Sequence, residues 1–326
     1  MRFAVLVAGL MFSPAVAKAV ELGLPAQCTP GKDCFLQQFP DMDPGDGVSD
    51  PYCGTASYQG HKGTDLRILS MQDVERGVPV VAVADGTVLR GRDGVADHLI
   101  STDADRAAVK SKECGNGIIL DVGSGVEVQY CHMRQGSLAV KPGQQVKRGE
   151  KLGEIGASGL AQFPHVHITV RVDGKEVDPS TGRVLTEGCL QNPSDARPLF
   201  SAEVLKEIGQ GEPQVIEAGL TGAVFDHDSL TLSGPPPEPT KASENIVGWG
   251  WFINLRKDDR IRITLTGPDG QKIAERTSDA LDRSKASFSG YAGKRGAPKP
   301  GAYSVVVAVI RDGDIIAERS ATATVE

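Results

Sequence analysis

The hydrophobic pattern from Val78 to Val172 is that of short β-strands separated by glycine turns. Apolar and polar residues alternate in runs such as "VPVVAVADGTVLR", "GIILDVGSGVEVQYCHM" and "HVHITVRVDGKEV". Alternation of this kind over about four to eight residues is typical of strands with one buried face. We therefore predict an all-β unit here, with a tight hairpin at "DVGSGVEV" where Gly123 and Gly125 supply positive φ angles.

A second β-rich pattern begins near residue 215 and runs to the last residue. The runs "GWGWFINL", "DRIRITLTGPDGQKI" and "GAYSVVVAVIRDGDII" have turn signals at the spacing of a β-sandwich. Residues 190–214 between the two units read as a linker with one short helix, "SAEVLKEIG", capped by Ser201 and ended by Gly209. The chain is therefore predicted to be all-β with two units.

The first residues have the pattern of a secretory signal peptide. The stretch "MRFAVLVAGLMFSPAVAKA" has a basic start at Arg2, an apolar run to Phe12 and small residues at Ala17 and Ala19. Later runs are too short for a membrane span, so we expect an exported protein, secreted or periplasmic, with residues 1–19 removed. An uncleaved anchor is the weaker alternative.

The negative net charge of the chain disfavours anionic binding partners. The formal net charge is −7, and removal of Arg2 and Lys18 with the predicted signal makes it more negative. An acidic chain is a poor match for nucleic acid or an anionic membrane surface. We therefore expect neither as the main partner.

Cysteine usage agrees with export. The chain has 6 cysteines, none beyond Cys189, and an even number in an oxidising compartment favours disulfides. Sequence alone leaves the connectivity open. The pairing we favour is Cys28 with Cys34, Cys114 with Cys131, and Cys53 with Cys189. The alternative, thiolate ligands for a metal, needs close pairs such as C-x-x-C, which are absent from the sequence.

Two of the 6 histidines stand together in the stretch "QFPHVHITV". On a strand, His165 and His167 share one face while Val166 and Ile168 share the other. The valine face is a core face. The histidine face is therefore predicted to line a cleft, meet another layer or bind a ligand.

The stretch "GHKGTD" holds a histidine and a carboxylate that can share a metal only if the chain turns. His61 and Asp65 would lie about 13 Å apart on a straight strand, and Gly60 and Gly63 make a turn possible. A catalytic zinc needs three protein ligands and an open position, which this pair and one strand histidine can provide. The structural alternative for this pair is a loop histidine that is hydrogen-bonded to an aspartate. His132 lies at the end of another strand, in "QYCHM", and considered by itself it is expected to be a packing residue.

Four motifs in order resemble one family. "HKGTD", "YCHM", "KPGQQVKRGEKLGEIGASG" and "PHVHI", within residues 55–180, resemble the lysostaphin-like or LytM zinc metallopeptidases of peptidase family M23. The resemblance implies an antiparallel β-sheet core and cleavage of stem peptides or cross-bridges in bacterial peptidoglycan. It also implies that one Zn²⁺ is bound by His61, Asp65 and His167, and that His132 and His165 are the catalytic histidines beside it.

These patterns divide the chain into consecutive segments. We predict a cysteine-containing segment at 20–54, a peptidase domain at 55–189 with an insertion at about 91–116, the linker at 190–214, and an immunoglobulin-like β-sandwich at 215–326. The insertion and the cysteine-containing segment can border the substrate groove of the domain and alter its range of substrates. The Asp-rich residues 37–58 are a candidate plug for that groove.

Other functions fit parts of the sequence. A LytM-type domain can bind or activate other cell-wall enzymes without cutting, but such members lose zinc ligands, and here every position is present. A third reading is a scaffold whose sandwich contacts another protein. In that sandwich, Trp249, Trp251 and Phe252 are expected to pack in a core, and "FDHDS" around His227 reads as a solvated turn. His98 is expected to be exposed and without a role.

Overall fold

The computed structural model describes residues 20–326, so the predicted signal peptide at 1–19 lies outside the described residues. Strands dominate and pair antiparallel, which confirms the all-β prediction. The strands of the first unit are β1 (Phe35–Gln38), β2 (Thr64–Arg67), β3 (Pro79–Val81), β4 (Gly86–Arg92), β5 (Asn116–Asp121), β6 (Val126–Met133), β7 (Gln145–Val146), β8 (Lys151–Glu154), β9 (His165–Val172) and β10 (Lys175–Val177).

The strands of the second unit are β11 (Gln214–Thr221), β12 (Asn245–Leu255), β13 (Arg260–Thr266), β14 (Lys272–Thr277), β15 (Lys285–Arg295), β16 (Gly301–Arg311) and β17 (Asp314–Val325). The α-helices are α1 (Met71–Arg76), α2 (Asp103–Ala108), α3 (Ala202–Ile208) and α4 (His227–Ser233), and short 3₁₀ turns lie at Leu185–Glu187 and Pro193–Asp195. Among residues 20–326, no helix is long and apolar enough to cross a membrane.

The main sheet of the first unit has the strand order β1-β2-β9-β6-β5-β4-β7, and β10 extends it beside the end of β9. β3 and β8 form a separate pair. Along β9, Val166, Ile168 and Val170 are buried in the core, as the alternation predicts, so the histidines lie on the opposite face. The hairpin turn also has positive φ at Gly123 and Gly125, as predicted.

The second unit is a β-sandwich of two antiparallel sheets, β11-β12-β15 and β14-β13-β16-β17. Its core lies between them and includes Phe252, Ile263 and Val307. Trp249 and Trp251 are also buried, so the predicted packing role is confirmed for the "GWGWF" run. The immunoglobulin-like assignment stays a prediction.

The stretch that we predicted as a linker belongs in part to the first core. α3 begins after Ser201, whose hydroxyl accepts a hydrogen bond from Val204 N–H, and it ends at Gly209, as predicted. Val204 and Ile208 form an apolar face, and with Phe200 they are buried in the core of the first unit. The apolar face of the helix therefore fixes it to the first unit.

The predictions for the two histidines outside the main motifs differ in their outcome: one is confirmed and the other is wrong. His98 is exposed, as predicted, and contacts Asp105 at 3.1 Å. The prediction of a solvated turn around His227 is wrong, because His227 is the first residue of α4 and is half-buried. The physical reason is the cap: the Asp226 carboxylate accepts a hydrogen bond from Ser229 N–H and starts a helix that buries Leu230.

The Asp-rich segment 37–58 binds its own backbone. The Asp41 carboxylate accepts hydrogen bonds from Ser49 N–H and Gly60 N–H. The buried Asp50 carboxylate accepts from the backbone of residues 52, 54 and 56. These aspartates therefore shape a loop beside the groove instead of filling the groove as a plug.

The insertion departs from the sheet between β4, which ends at Arg92, and β5, which begins at Asn116. It contains α2, which Thr102 caps by accepting a hydrogen bond from Asp105 N–H. Its last residues return to β6, where Cys114 is bonded to Cys131. The insertion is thus held against the strand that carries His132.

The three disulfides are Cys28–Cys34, Cys53–Cys189 and Cys114–Cys131, which confirms the favoured pairing. Their sequence separations are 6, 136 and 17 residues. A crosslink that closes a longer loop removes more entropy from the unfolded chain. Cys53–Cys189 should therefore stabilise the first unit most.

Replacing Cys53 and Cys189 with alanine should lower the free energy of unfolding by about 5 kcal/mol, whereas replacing Cys28 and Cys34 should cost about 2 kcal/mol. Urea unfolding of both variants, followed by circular dichroism, measures the difference. Equal losses in the two variants would contradict the loop-length explanation.

Candidate active site

The register between β2 and β9 brings the candidate site together. Asp65 pairs with His167, and Arg67 pairs with His165. Directly opposed residues of an antiparallel pair project to the same face, so these side chains share one face of the sheet. All of them except His167 are buried, and the His167 side chain is only 12% exposed.

His61 reaches this face from the turn that precedes β2. Gly60 has φ +74°, a conformation that favours glycine, and its N–H is held by Asp41. Gly63 is needed for a different reason: a Cβ there would overlap the Ile168 carbonyl oxygen and the His167 ring. Both glycines therefore bring the loop close to β9, as the sequence predicts for this turn.

Three acceptor atoms meet at the resulting point. His61 Nε2 lies 3.2 Å from Asp65 Oδ1 and 3.2 Å from His167 Nδ1, and the last two atoms are 2.8 Å apart. His61 Nδ1 donates to the Phe39 carbonyl at 2.6 Å, which leaves a lone pair on Nε2 of the neutral ring. Two imidazole nitrogens and a carboxylate that converge in this way are the donor set of a metal site.

His167 has the opposite orientation to His61. Its Nε2 lies 2.9 Å from the Thr169 hydroxyl, which accepts a hydrogen bond when Nε2 carries the proton, and Nδ1 then presents its lone pair beside Asp65. An outer partner of this kind orients the ring of a metal-binding histidine. Thr169 is therefore the orienting group that sequence alone did not identify.

His132 and His165 lie beside these three residues. Their ring centroids are 4.5 Å apart, and His165 Nε2 is 3.5 Å from Asp65 Oδ1. His165 Nδ1 donates to the Phe163 carbonyl and His132 Nδ1 to the Ser158 carbonyl, each at 2.8 Å. In the neutral form, both rings therefore keep a lone pair on Nε2.

A backbone bulge aims His132 at the site. The residue has φ +60°, and the pairing of β5 with β6 shifts register at this point. His132 N–H donates to the Cys114 carbonyl at 2.8 Å, so the disulfide-anchored insertion supports the bulge. The sequence placed His132 at a strand end but gave no signal for this conformation.

Burial and neighbouring charges shift the pKa values of these groups. Burial lowers the pKa of His165, and burial together with the neighbouring His165 and His167 holds the pKa of His132 well below its ordinary value. Burial opposes ionisation of Asp65, but His61 and His165 nevertheless hold its pKa well below the usual range. At neutral pH, the site therefore presents a carboxylate next to two uncharged imidazoles.

His61 behaves differently from these two histidines. Burial lowers its pKa, but the Asp65 charge and the hydrogen bonds to Asp65 and Phe39 outweigh burial, and the net pKa is raised. The Asp65 carboxylate therefore stabilises a positive charge at the point where the three acceptor atoms meet.

Three of the five side chains, those of His61, His132 and His167, line an open groove of about 250 Å³. Tyr58, which stacks on His61 with ring centroids 4.4 Å apart, lines one part. Glu113 and Cys114 of the insertion line another part. The predicted ligands His61 and His167 and the predicted catalytic His132 all border the groove, so a substrate chain in it would pass over them.

A buried arginine next to the site was also missed by sequence reasoning. Arg67 is 1% exposed, and burial lowers its pKa to about 9, which leaves the guanidinium charged at pH 7. Its position two residues after Asp65 on a strand was a signal, because both must share a face. Its contact with Trp251 of the second unit could not be read from local spacing.

The chain is similar to known proteins over the segment that carries these residues. Residues 59–179 match the model of peptidase family M23. Over 127 residues, the chain is 30% identical to an uncharacterized metalloprotease of Haemophilus influenzae, covering 39% of this chain and 22% of the relative. Over 118 residues, it is 30% identical to the peptidoglycan DD-endopeptidase ShyB of Vibrio cholerae, covering 36% and 22%.

The chain thus spans about a fifth of the length of the curated relatives it matches. A solved zinc-containing peptidase from Vibrio cholerae is similar over 47% of this chain and 39% of its own, at 24% identity and a TM-score of 0.29. The family assignment rests on the matched segment and its motifs. Residues 59–179, which carry His61, Asp65, His132, His165 and His167, therefore match peptidase family M23.

Proposed function

We propose that the chain is an exported, zinc-dependent endopeptidase that hydrolyses peptide bonds in peptidoglycan stem peptides or cross-links. One observation carries the proposal. Three acceptor atoms of His61, Asp65 and His167 converge beside an open groove, next to two histidines whose Nε2 atoms have free lone pairs. This is the donor set and the surrounding chemistry that a zinc hydrolase needs.

His61 Nε2, Asp65 Oδ1 and His167 Nδ1 are the ligand atoms we assign to one zinc ion. A catalytic zinc site has three protein ligands and an open position, and a carboxylate offsets part of the charge of the ion. A second group of close donors, His132, His165 and His167, shares His167 but has no carboxylate. We therefore favour the group that contains Asp65.

When bound, zinc would supply a Lewis acid that polarises the scissile carbonyl group and lowers the pKa of water. The uncharged His165 and His132 have their Nε2 atoms available to accept a proton from a reacting group and, once protonated, to donate that proton to another. The carbonyls of Phe163 and Ser158 hold these rings in one tautomer. Both rings are buried and already held in one orientation, so the reaction does not have to order them.

Two observations support the substrate and the compartment. A relative over part of the chain is named as a peptidoglycan DD-endopeptidase, and another, from Neisseria meningitidis, as a DD-carboxypeptidase/endopeptidase. Three disulfides favour an oxidising compartment outside the cytoplasm. Both agree with the predicted signal peptide.

The mature protein should contain one zinc ion and release peptides from isolated peptidoglycan in a chelator-sensitive reaction. The His61→Ala variant should lose both the metal and the activity, because it removes one of the three ligands. Elemental analysis and chromatography of released peptides measure the two properties. His98→Ala is the control, since the His98 side chain is exposed and contacts Asp105, which is not an assigned ligand.

Metal without cleavage would point to a LytM-type regulator instead of an enzyme. Absence of metal from the parent protein would contradict the peptidase proposal.

Replacing His165 or His132 with glutamine should lower kcat by about 100-fold to 10,000-fold, because each substitution removes a group that transfers protons. Zinc content should be unchanged in both variants, since neither residue is an assigned ligand. Measuring metal content beside kcat separates this role from metal binding. Loss of zinc in either variant would make that histidine a ligand and overturn the assignment.

Gly63→Ala should lower zinc affinity by about 10-fold to 100-fold, because the added Cβ displaces the His167 ring or the Ile168 carbonyl. Gly86→Ala is the matched control, since its Cβ would also overlap a strand carbonyl, that of Asp121, but away from the site. Both should lose about 1–3 kcal/mol of stability from overpacking. Competition with a chelating dye measures affinity, and equal affinities in the two variants would contradict the role of Gly63.

A further inference from the structure

The two units share a buried apolar cluster in which side chains of the sandwich cover part of the peptidase unit. Phe35 of β1 belongs to this cluster, and the partly buried Leu69 packs against it. The buried members from the second unit are Ile216, Leu230, Trp249, Trp251 and Ile253. α1 of the first unit also contacts α4 of the second. The sandwich is therefore packed against the elements next to the active site.

Arg67 is a buried polar residue at this contact. Its guanidinium carbon lies 4.6 Å from the Trp251 ring centroid and 5.0 Å from that of Phe163. A planar guanidinium over an aromatic face gains cation–π energy, and the gain is greatest where water is excluded. One ring belongs to the sandwich and the other to the loop before β9, so Arg67 links the two units.

The hydrogen bonds of Arg67 are all to neutral acceptors. Its guanidinium donates to Gln37 Oε1 at 2.6 Å, to the Leu69 carbonyl at 3.0 Å and to the Ile68 carbonyl at 3.2 Å. Within residues 20–326, no carboxylate forms an ion pair with it. A buried charge without a directly paired carboxylate is costly, and Asp73 attracts it only from beyond ion-pair distance, so the aromatic rings contribute to its stabilisation.

Phe163 carries the contact onward to His165. The two rings have centroids 4.6 Å apart and an angle of 34° between their planes. The Phe163 carbonyl also accepts the hydrogen bond from His165 Nδ1. Phe163 therefore fixes both the tautomer and the orientation of His165, while Arg67 lies opposite His165 in the β2–β9 pair.

We propose that Trp251 of the sandwich is a positioning residue for His165, and that it acts through Arg67 and Phe163. The inference rests on the proposed function and adds a role for the second unit: the sandwich completes the active site. If Trp251 served only to fill the interface, its loss would lower stability and leave the orientation of His165 unchanged.

The test compares full-length mature variants loaded with zinc. Trp251→Leu keeps an apolar side chain but removes the ring over Arg67, and we expect kcat to fall by about 10-fold to 100-fold with KM and zinc content unchanged. Trp251→Phe retains an aromatic face and should recover most of the activity. Ile253→Ala is the matched control: Ile253 is two residues along the same strand in the same cluster, and it has neither a ring over Arg67 nor a hydrogen bond to it.

A readout independent of turnover is the imidazole Nδ1–H signal of His165 in ¹⁵N-histidine NMR spectra. This proton is buried and bonded to the Phe163 carbonyl, so it should exchange slowly in the parent, in Trp251→Phe and in Ile253→Ala. In Trp251→Leu, the signal should broaden or exchange rapidly, while that of His132 persists. The His165→Gln variant assigns the signal.

A second variant keeps the test informative if Trp251→Leu does not fold. Phe163→Leu alters the same path from the peptidase side, at a partly exposed position, and should reproduce the loss in kcat and the change in the His165 signal. The proposal is overturned if Trp251→Leu matches Ile253→Ala in both kcat and the His165 signal, or if it loses zinc together with activity. A parent protein that cleaves no peptidoglycan would contradict the proposed function, and the NMR comparison would still test the positioning.

Discussion

The pairing register of β2 with β9 is the constraint on which the site depends. It places Asp65 beside His167 and Arg67 beside His165 on one face, while Val166 and Ile168 enter the core. A slip of one residue would turn the histidines into the core and the valines into the groove, at a large cost in buried apolar surface. Hydrophobic burial therefore fixes the geometry of the polar face. The pairing of β6 on the other side of β9 brings His132 to the same place.

Backbone carbonyls then decide which imidazole nitrogens are available. A carbonyl can only accept, so the contacts of His61, His132 and His165 with the carbonyls of residues 39, 158 and 163 place a proton on each Nδ1. His167 is turned the other way by the hydroxyl of Thr169. The inward lone pairs and the Asp65 carboxylate give a point of negative potential that suits a divalent cation. The same contacts restrict ring rotation, so little ordering remains for binding or reaction.

Local chemistry made much of this predictable, and long-range contacts explain the rest. "HKGTD" and "PHVHI" carry short spacings, so turn geometry and strand alternation were enough to select His61, Asp65 and the strand histidines. The preferred disulfide pairs were also correct. Arg67 was not singled out, because Trp251 and Phe163 meet it only in the folded chain. The same limit applies to residues 190–214, whose helix α3 packs into the first core although its sequence neighbours read as a linker.

The central claim is that one zinc ion is held by His61, Asp65 and His167, with His132 and His165 outside the ligand set. X-ray diffraction from crystals of the mature protein, measured on both sides of the zinc absorption edge, tests it most directly. The account predicts one anomalous peak about 2.0–2.2 Å from His61 Nε2, an Asp65 carboxylate oxygen and His167 Nδ1. A peak coordinated by His132, His165 and His167, or crystals grown with zinc that have no peak at either place, would contradict it.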